Sequence, residues 1–291
     1  MRLFLTVVAT VMLPVSCLLA NEASSDKTLS VVSYNIRYAS PRDGEDVWPN
    51  RKDAVGKFLS DHDVIGLQEA TYPQIKNLVK RLPDHDWYGL GRDDGKEGGE
   101  AAPIFYRRDR LTVESKGTIW LCETPDEVGK KGWDAALPRT MTWLLLNETA
   151  TGRKLIVANT HFDHRGSKAR HESGKLIRKF LANQHGQYPV VLLGDFNCLA
   201  DSAPYQAITS GNQPLALKDA RTQSKMPASG PESTWSGFKA IAAGRIIDHV
   251  FVHGDIDVLN HEVLDPKTES GRFASDHLPV RIRIQFQSPS P

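Results

Sequence analysis

Val190-Val191-Leu192-Leu193-Gly194-Asp195-Phe196-Asn197 decides how this chain is read. Four aliphatic residues in an unbroken run describe a strand buried on both faces. The run stops on a glycine, which lets another backbone or a ligand approach closely. Two polar side chains follow, separated by one apolar residue. On an extended chain Asp195 and Asn197 point the same way and Phe196 points oppositely, into the core. Taken alone, the segment is also compatible with an Asx turn that merely closes a strand.

The same design recurs along the chain. Residues 29–36 read as a strand delivering Ser33-Tyr34-Asn35, and residues 64–67 as a short buried strand delivering Gln68-Glu69. Residues 155–160 read as a strand running into His161, within Asn159-Thr160-His161-Phe162-Asp163-His164, while Ser275-Asp276-His277 leads into a strand at 278–286. Further strands are expected at 104–106, 111–121, 140–146 and 246–252, and helices at 48–59, 72–82 and 167–184. Pro49 suits a helix start, and Leu176, Ile177, Phe180 and Leu181 share one helical face. Residues 89–99 read as a glycine-rich charged loop, 122–138 as irregular and 221–232 as a polar loop. Roughly ten strands and three or four helices, with hairpins among strand–helix–strand units, indicate an α/β protein of two packed sheets covered by helices.

The chain has 291 residues, 40% of them hydrophobic, enough for one large core, and no low-complexity linker divides it. One domain is expected over 27–288. Residues 1–20 read as a secretory signal: Arg2 is the charged start, residues 3–13 are almost wholly apolar, and Ala20 suits a cleavage point. The apolar run is short for a membrane span of about 20 residues, though an uncleaved anchor is the alternative. Cys17 offers a second alternative, a lipoprotein, but Pro14-Val15-Ser16 fits that pattern poorly. Export to the periplasm or the exterior is the expectation. Loss of Arg2 leaves 35 of the 36 basic residues against 35 acidic ones, a formally neutral protein. Proteins that track a nucleic-acid backbone usually carry a basic excess. A small phosphorylated molecule or a lipid head group is therefore favoured over duplex nucleic acid, and no protein partner is implied. Cys122 and Cys198 would remain, too few for a disulfide scaffold.

If folding gathers these motifs, they supply carboxylates, amides and two imidazoles, the equipment for metal-assisted cleavage of a phosphate ester. Glu69 at the end of a buried strand suits Mg²⁺, which takes hard oxygen ligands, typically one or two carboxylates plus waters and phosphate oxygens. Asn35 could hold a metal-bound water or a phosphate oxygen, and Asp276, opposite His277 on the chain, could reach a metal. Asp195 could orient or deprotonate the attacking water, and Asn197 could donate to a phosphoryl oxygen. His161 and His277 are acid–base candidates. Asp248, in Ile246-Ile247-Asp248-His249, could orient His277 and favour its cation. Each residue singly has a plain reading too: a helix cap for Glu69, a turn for Asn35, a hydrogen-bonded structural role for either histidine. His161-x-Asp163-His164 is a loose zinc candidate, but the set is oxygen-rich. No Gly-x-Ser-x-Gly elbow and no Gly-x-x-x-x-Gly-Lys-Ser/Thr loop occurs, which argues against a serine hydrolase and a triphosphate-binding loop.

In order along the chain, Tyr34-Asn35, Gln68-Glu69, Thr160-His161, Gly194-Asp195-Phe196-Asn197, Ile247-Asp248-His249 and Ser275-Asp276-His277 resemble the endonuclease/exonuclease/phosphatase superfamily. This is the fold of deoxyribonuclease I, inositol polyphosphate 5-phosphatases, neutral sphingomyelinases and deadenylases. The resemblance covers residues 29–286 and implies a four-layer α/β/β/α sandwich, two packed mixed sheets flanked by helices. It implies Mg²⁺, with Mn²⁺ as the alternative, held chiefly by Glu69 with Asn35 and Asp276 in the metal shell. His161 would meet the phosphate or leaving group, Asp195 would position the nucleophilic water, Asn197 would bind a phosphoryl oxygen, and Asp248 would orient His277. The implied reaction is hydrolysis of a phosphomonoester or phosphodiester by in-line attack of a metal-assisted water.

Gly117-Thr118-Ile119-Trp120-Leu121, Glu123-Thr124-Pro125, Gly132-Trp133-Asp134-Ala135-Ala136 and Pro138-Arg139 are similar to a secreted bacterial branch of unsettled substrate. Arg139 and Arg165 are candidate substrate contacts. There is one departure. Some nuclease members carry an acid two residues after the equivalent of Asn35; here the residue is Arg37, which puts a second metal ligand there in doubt. Two readings stand beside the phosphoesterase. One is a non-catalytic phosphate-ligand binding protein on the same scaffold, disfavoured because none of the main positions is missing. The other is a nuclease within the superfamily.

Overall fold

The computed structural model describes residues 27–211 and 214–287. The expected signal, with Arg2 and Cys17, lies outside the described residues, as does residue 288. The chain opens with β1 (Thr28–Asn35), a 3-10 turn at Gly44–Asp46 and α1 (Trp48–Leu59). Next come β2 (Val64–Gln68), β3 (Ala70–Thr71), α2 (Tyr72–Val79), β4 (His85–Tyr88), β5 (Glu100–Ala101), β6 (Ile104–Arg107) and β7 (Leu111–Trp120). The central stretch is β8 (Thr140–Glu148), β9 (Lys154–His161), α3 (Ser167–His185) and β10 (Val190–Asp195). The rest is α4 (Ala203–Thr209), β11 (Lys218–Asp219), α5 (Ala220–Gln223), β12 (Asp248–His253), β13 (Ile256–Val263) and β14 (Val280–Phe286).

Two six-stranded sheets result, β13-β14-β1-β2-β6-β4 and β11-β12-β10-β9-β8-β7. Their central pairs, β1–β2 and β9–β10, are parallel, and antiparallel neighbours flank them. The two-residue alternation of strands builds the layers. Leu29 and Val31 of β1 join Val191 and Leu193 of β10 in the core between the sheets. The alternate residues face outward: Val32 and Tyr34 meet Val55 and Leu59 of α1 and Ile75 and Leu78 of α2. Val190 and Leu192 meet Ile177 and Leu181 of α3. This is the expected helix–sheet–sheet–helix sandwich.

The described residues hold fourteen strands and five α-helices, more than expected. The missed β13 carries a register shift between Val258 and Asn260, which breaks its alternation. The helix expected at 72–82 starts with the capping box of Thr71 and Gln74 but ends at Val79. There Arg81 N–H donates to Leu78 O at 2.8 Å in a tighter turn, two residues before Pro83, which cannot continue the ladder. Cys122 and Cys198 are buried free thiols. Among the described residues no helix is long and apolar enough to cross a membrane.

Candidate active site

The alternation that builds the core also builds the site. The inward stripe of β1 runs Leu29, Val31, Ser33, Asn35; that of β9 runs Leu155, Val157, Asn159, His161; that of β10 runs Val191, Leu193, Asp195. Each turns polar at its C-terminal end. Gln68 and Asn159 form the first polar layer: Gln68 Nε2 donates to Asn159 Oδ1 at 2.6 Å, and Asn159 Nδ2 donates to Leu67 O at 2.8 Å, tying the sheets together. One step further, Asn35 Nδ2 donates to Asp195 Oδ2 at 3.0 Å and to Glu69 Oε1 at 3.1 Å. The β-ladders pair Asp195 with His161 on one side and with Asp248 on the other.

Beyond the strand ends the backbone turns sharply. Arg37, Glu69 and Asn197 take left-handed φ values of 56°, 58° and 47°, a conformation that costs a non-glycine residue about 1 kcal/mol or more. Asn197 is therefore not extended, and it does not share a face with Asp195 by strand alternation as expected. The link is an Asx turn, with Asn197 N–H donating to Asp195 Oδ1 at 2.9 Å. That turn still brings Asn197 Nδ2 within 3.1 Å of His161 Nε2. Phe196 is buried as expected, with its ring 4.9 Å from Phe162 and 5.0 Å from Phe251 between centroids.

Asp195 Oδ2 lies 3.4 Å from His161 Nε2 and 3.8 Å from His277 Nε2. His277 Nδ1 is 2.9 Å from Asp248 Oδ2. Burial, and then the charge of Asp248, push the Asp195 carboxyl up to about 7. Burial alone would lower His277; the carboxylates of Asp248 and Asp195 reverse this and hold it well above the usual histidine range. Burial, followed by Arg139 and Arg92, drives His161 well below that range. Near neutral pH the site thus holds one protonated and one neutral imidazole beside a carboxyl poised to titrate, a separation of states suited to acid–base work. Replacing Asp248 with Asn removes the strongest charge favouring the His277 cation, so His277 should lose its proton about one unit or more lower in pH. An NMR titration of the imidazole tests this, and an unmoved midpoint would rule out Asp248 as the partner that sets it.

A cavity of about 440 Å³ opens over these groups, lined by Glu69, Asp195, Asn197, Asp276, His161 and His277, with Arg37, Tyr38, Trp235, Arg139 and His164 also facing it. Asn35 and Asp248 lie behind the lining. Asn35, expected in the metal and phosphate shell to hold a metal-bound water or a phosphate oxygen, has its Oδ1 accepting Arg37 N–H at 3.0 Å and its amide nitrogen facing the carboxylates. It fastens Glu69 to Asp195. Asp195, Asp248 and His277 have ligand atoms within 4.8 Å of one another. However, Asp248 is buried behind the lining with its Oδ2 on His277 Nδ1, Asp195 lies between two imidazoles, and Glu100 is held by Arg92; of the described lining carboxylates this leaves Glu69 and Asp276, hard oxygen donors whose chemistry fits Mg²⁺ or Mn²⁺.

The two candidate arginines part company. Arg139 is buried in the cavity wall, bonded to Asp163 Oδ2 at 3.3 Å and 3.0 Å from His164 Nδ1. Arg165 is exposed and outside the lining; its N–H donates to Asp163 Oδ1 at 2.9 Å. The sequence reading missed Arg92 and Glu100. Arg92 grips Glu100 through bonds of 2.7 and 3.0 Å, and Glu100 Oε2 lies 3.9 Å from His161 Nδ1. No periodicity marks them, because they come from an irregular loop and a two-residue strand.

Comparison with known proteins agrees with this fold. A structure of an endonuclease/exonuclease/phosphatase from Bacteroides vulgatus superposes with a TM-score of 0.85 at 37% identity, covering 89% of this chain and 99% of that one. A mannosyl-6-phosphatase from Bacteroides thetaiotaomicron superposes with a TM-score of 0.82 at 35% identity, covering 89% and 100%. Nocturnin of Drosophila melanogaster is 23% identical over 284 residues; the match takes in 84% of this chain but only 43% of that protein. The fold is one used by hydrolases of phosphate esters. With the strand-end motifs inside a match that runs over residues 32–277, the chain belongs to the Endonuclease/Exonuclease/phosphatase family.

Proposed function

We propose that this chain is an exported, Mg²⁺-dependent phosphoesterase acting on a small phosphorylated molecule, with a sugar phosphate first and a lipid head group second. The observation that carries the reading is Asp195: one oxygen is approached by Asn35, His161 and His277, in a cavity shared with Glu69 and Asp276. Glu69 and Asp276 would hold the cation, and Mg²⁺ there, or Mn²⁺ in its place, would supply stabilisation of the charge developing on the phosphoryl group. Asp195, its carboxyl pushed up to about 7, takes the proton of the attacking water near neutral pH. His277, kept protonated by Asp248, donates from Nε2 to a phosphoryl oxygen and Asn197 from Nδ2, and as the P–O ester bond breaks the leaving oxygen takes its proton from solvent. Arg139 and the rings of Tyr38 and Trp235 contact the rest of the substrate; an aromatic face suits the C–H surface of a sugar. The 35% identity to a mannosyl-6-phosphatase supports that choice, and the neutral charge speaks against duplex DNA. The pattern of residues 1–20 supports export.

The test is a panel of sugar phosphates, phosphorylated head groups, a generic diester and duplex DNA, each with Mg²⁺ and with chelator. Mg²⁺-dependent turnover is expected, fastest on a small substrate, from protein whose N-terminus follows residue 20. Turnover that survives chelation would remove the cation from the reading, and DNA as the best substrate would replace its substrate class.

A further inference from the structure

Arg37 is the one arginine of the cavity that approaches the two cation-facing carboxylates. Its guanidinium makes two 3.1 Å hydrogen bonds to Asp43, and lies 3.8 Å from Glu69 Oε2 and 3.9 Å from Asp276 Oδ2. The backbone is pinned to present it. Arg37 N–H donates to Asn35 Oδ1 at 3.0 Å, and Arg37 O accepts from Gln74 Nε2 at 2.9 Å and from Arg51 Nη2 at 3.3 Å, at a φ of 56°. Three bonds thus hold a conformation that arginine disfavours.

Charge counting follows. Asp43, Glu69 and Asp276 bring three negative charges, and Arg37 cancels one. Arg51, behind them, gives its donors to the main-chain oxygens of Asp46, Ile36, Ala274 and Arg37, while its charge offsets part of the rest. The other carboxylates of the lining are engaged elsewhere: Glu100 by Arg92, and Asp195 by Asn35 beside the two histidines. At most two negative charges remain, which one divalent ion meets and a second would exceed.

We infer that Arg37 is a built-in cation of the site, restricting it to one divalent ion and sharing the charge of the phosphoryl group with that ion. The inference rests on the proposed metal role of Glu69 and Asp276. It predicts opposite movements of two quantities. Removing Arg37 deletes a positive charge about 4 Å from the carboxylates, so a cation should bind about tenfold or more tighter. Turnover should fall by about tenfold or more, because the phosphoryl charge loses a partner. A purely structural arginine would weaken both.

The experiment is calorimetric titration of Mn²⁺ into the wild-type protein, Arg37→Asn, Arg37→Gly and Glu69→Gln, with turnover measured in parallel. Asparagine and glycine both accept the left-handed backbone, so one serves if the other fails to fold by circular dichroism. One Mn²⁺ per wild-type chain, tighter Mn²⁺ and slower turnover in the Arg37 variants, and weakened Mn²⁺ in Glu69→Gln are expected. Two ions in the wild type, or unchanged or weaker Mn²⁺ binding in a folded Arg37 variant, overturns the role of Arg37 alone. Mn²⁺ binding unaffected by Glu69→Gln, or absent from the wild type, overturns the metal assignment and the inference with it.

Discussion

Glu69→Gln is expected to lower turnover about a thousandfold while leaving the fold intact. Glu69 faces the cavity, and the only cation beside it among the described residues is Arg37, 3.8 Å from its Oε2. A metal acting as a Lewis acid contributes several kcal/mol to the transition state, and about 4 kcal/mol corresponds to roughly a thousandfold in rate. The amide is nearly the same size and can still accept one of the two hydrogen bonds that Glu69 now receives, from Asn35 Nδ2 and from Tyr38 N–H. The bond it loses lies beside solvent, so the thermal midpoint should move little. Raising Mg²⁺ should recover only part of the rate, because Asp276 alone must then hold the ion. Wild-type turnover in Glu69→Gln at ordinary Mg²⁺ would sink the metal assignment.

Much of this site was legible because strands write their geometry into sequence. A period of two and a hydrophobic run that ends abruptly were enough to mark Asn35, Glu69, His161 and Asp195 as strand-end groups. The ladder register then put Asp195 between His161 and Asp248. What was not legible has a common cause: it depends on contacts between segments far apart in sequence. That Asn35 fastens Glu69 to Asp195 rests on partners of its amide 34 and 160 residues away. Gln68 and Asn159 read only as motif members, although together they bridge the sheets. Arg165 and Arg139 look alike in sequence, yet only Arg139 is turned into the cavity wall. Opposite protonation of two histidines cannot be read from spacing either, since both are buried and only His277 has carboxylates, Asp248 first, that outweigh the burial, while Arg139 adds to it at His161.

Asp195→Asn should lower turnover by about 10²–10⁴, the usual range for losing a general base, and should shift stability in the opposite sense as pH rises. Asp195 is buried, and its carboxyl is pushed up to about 7 from an ordinary 3.8, by burial first and by Asp248 second. A carboxyl raised in the folded state holds a proton that the unfolded chain has already released. Below the unfolded value the ionisation of Asp195 costs the fold nothing. From about pH 4 to about pH 7 the cost grows, and above that it is fully present. Asparagine never incurs it. The Asn35 donor to Oδ2 and the Asn197 N–H donor to Oδ1 leave the new amide one mismatched bond, an offset that does not change with pH. Relative to the wild type, the melting temperature of Asp195→Asn should therefore climb between pH 4 and pH 8 while turnover stays low throughout. A difference in melting temperature that is flat over this range would mean that Asp195 ionises as an ordinary carboxylate.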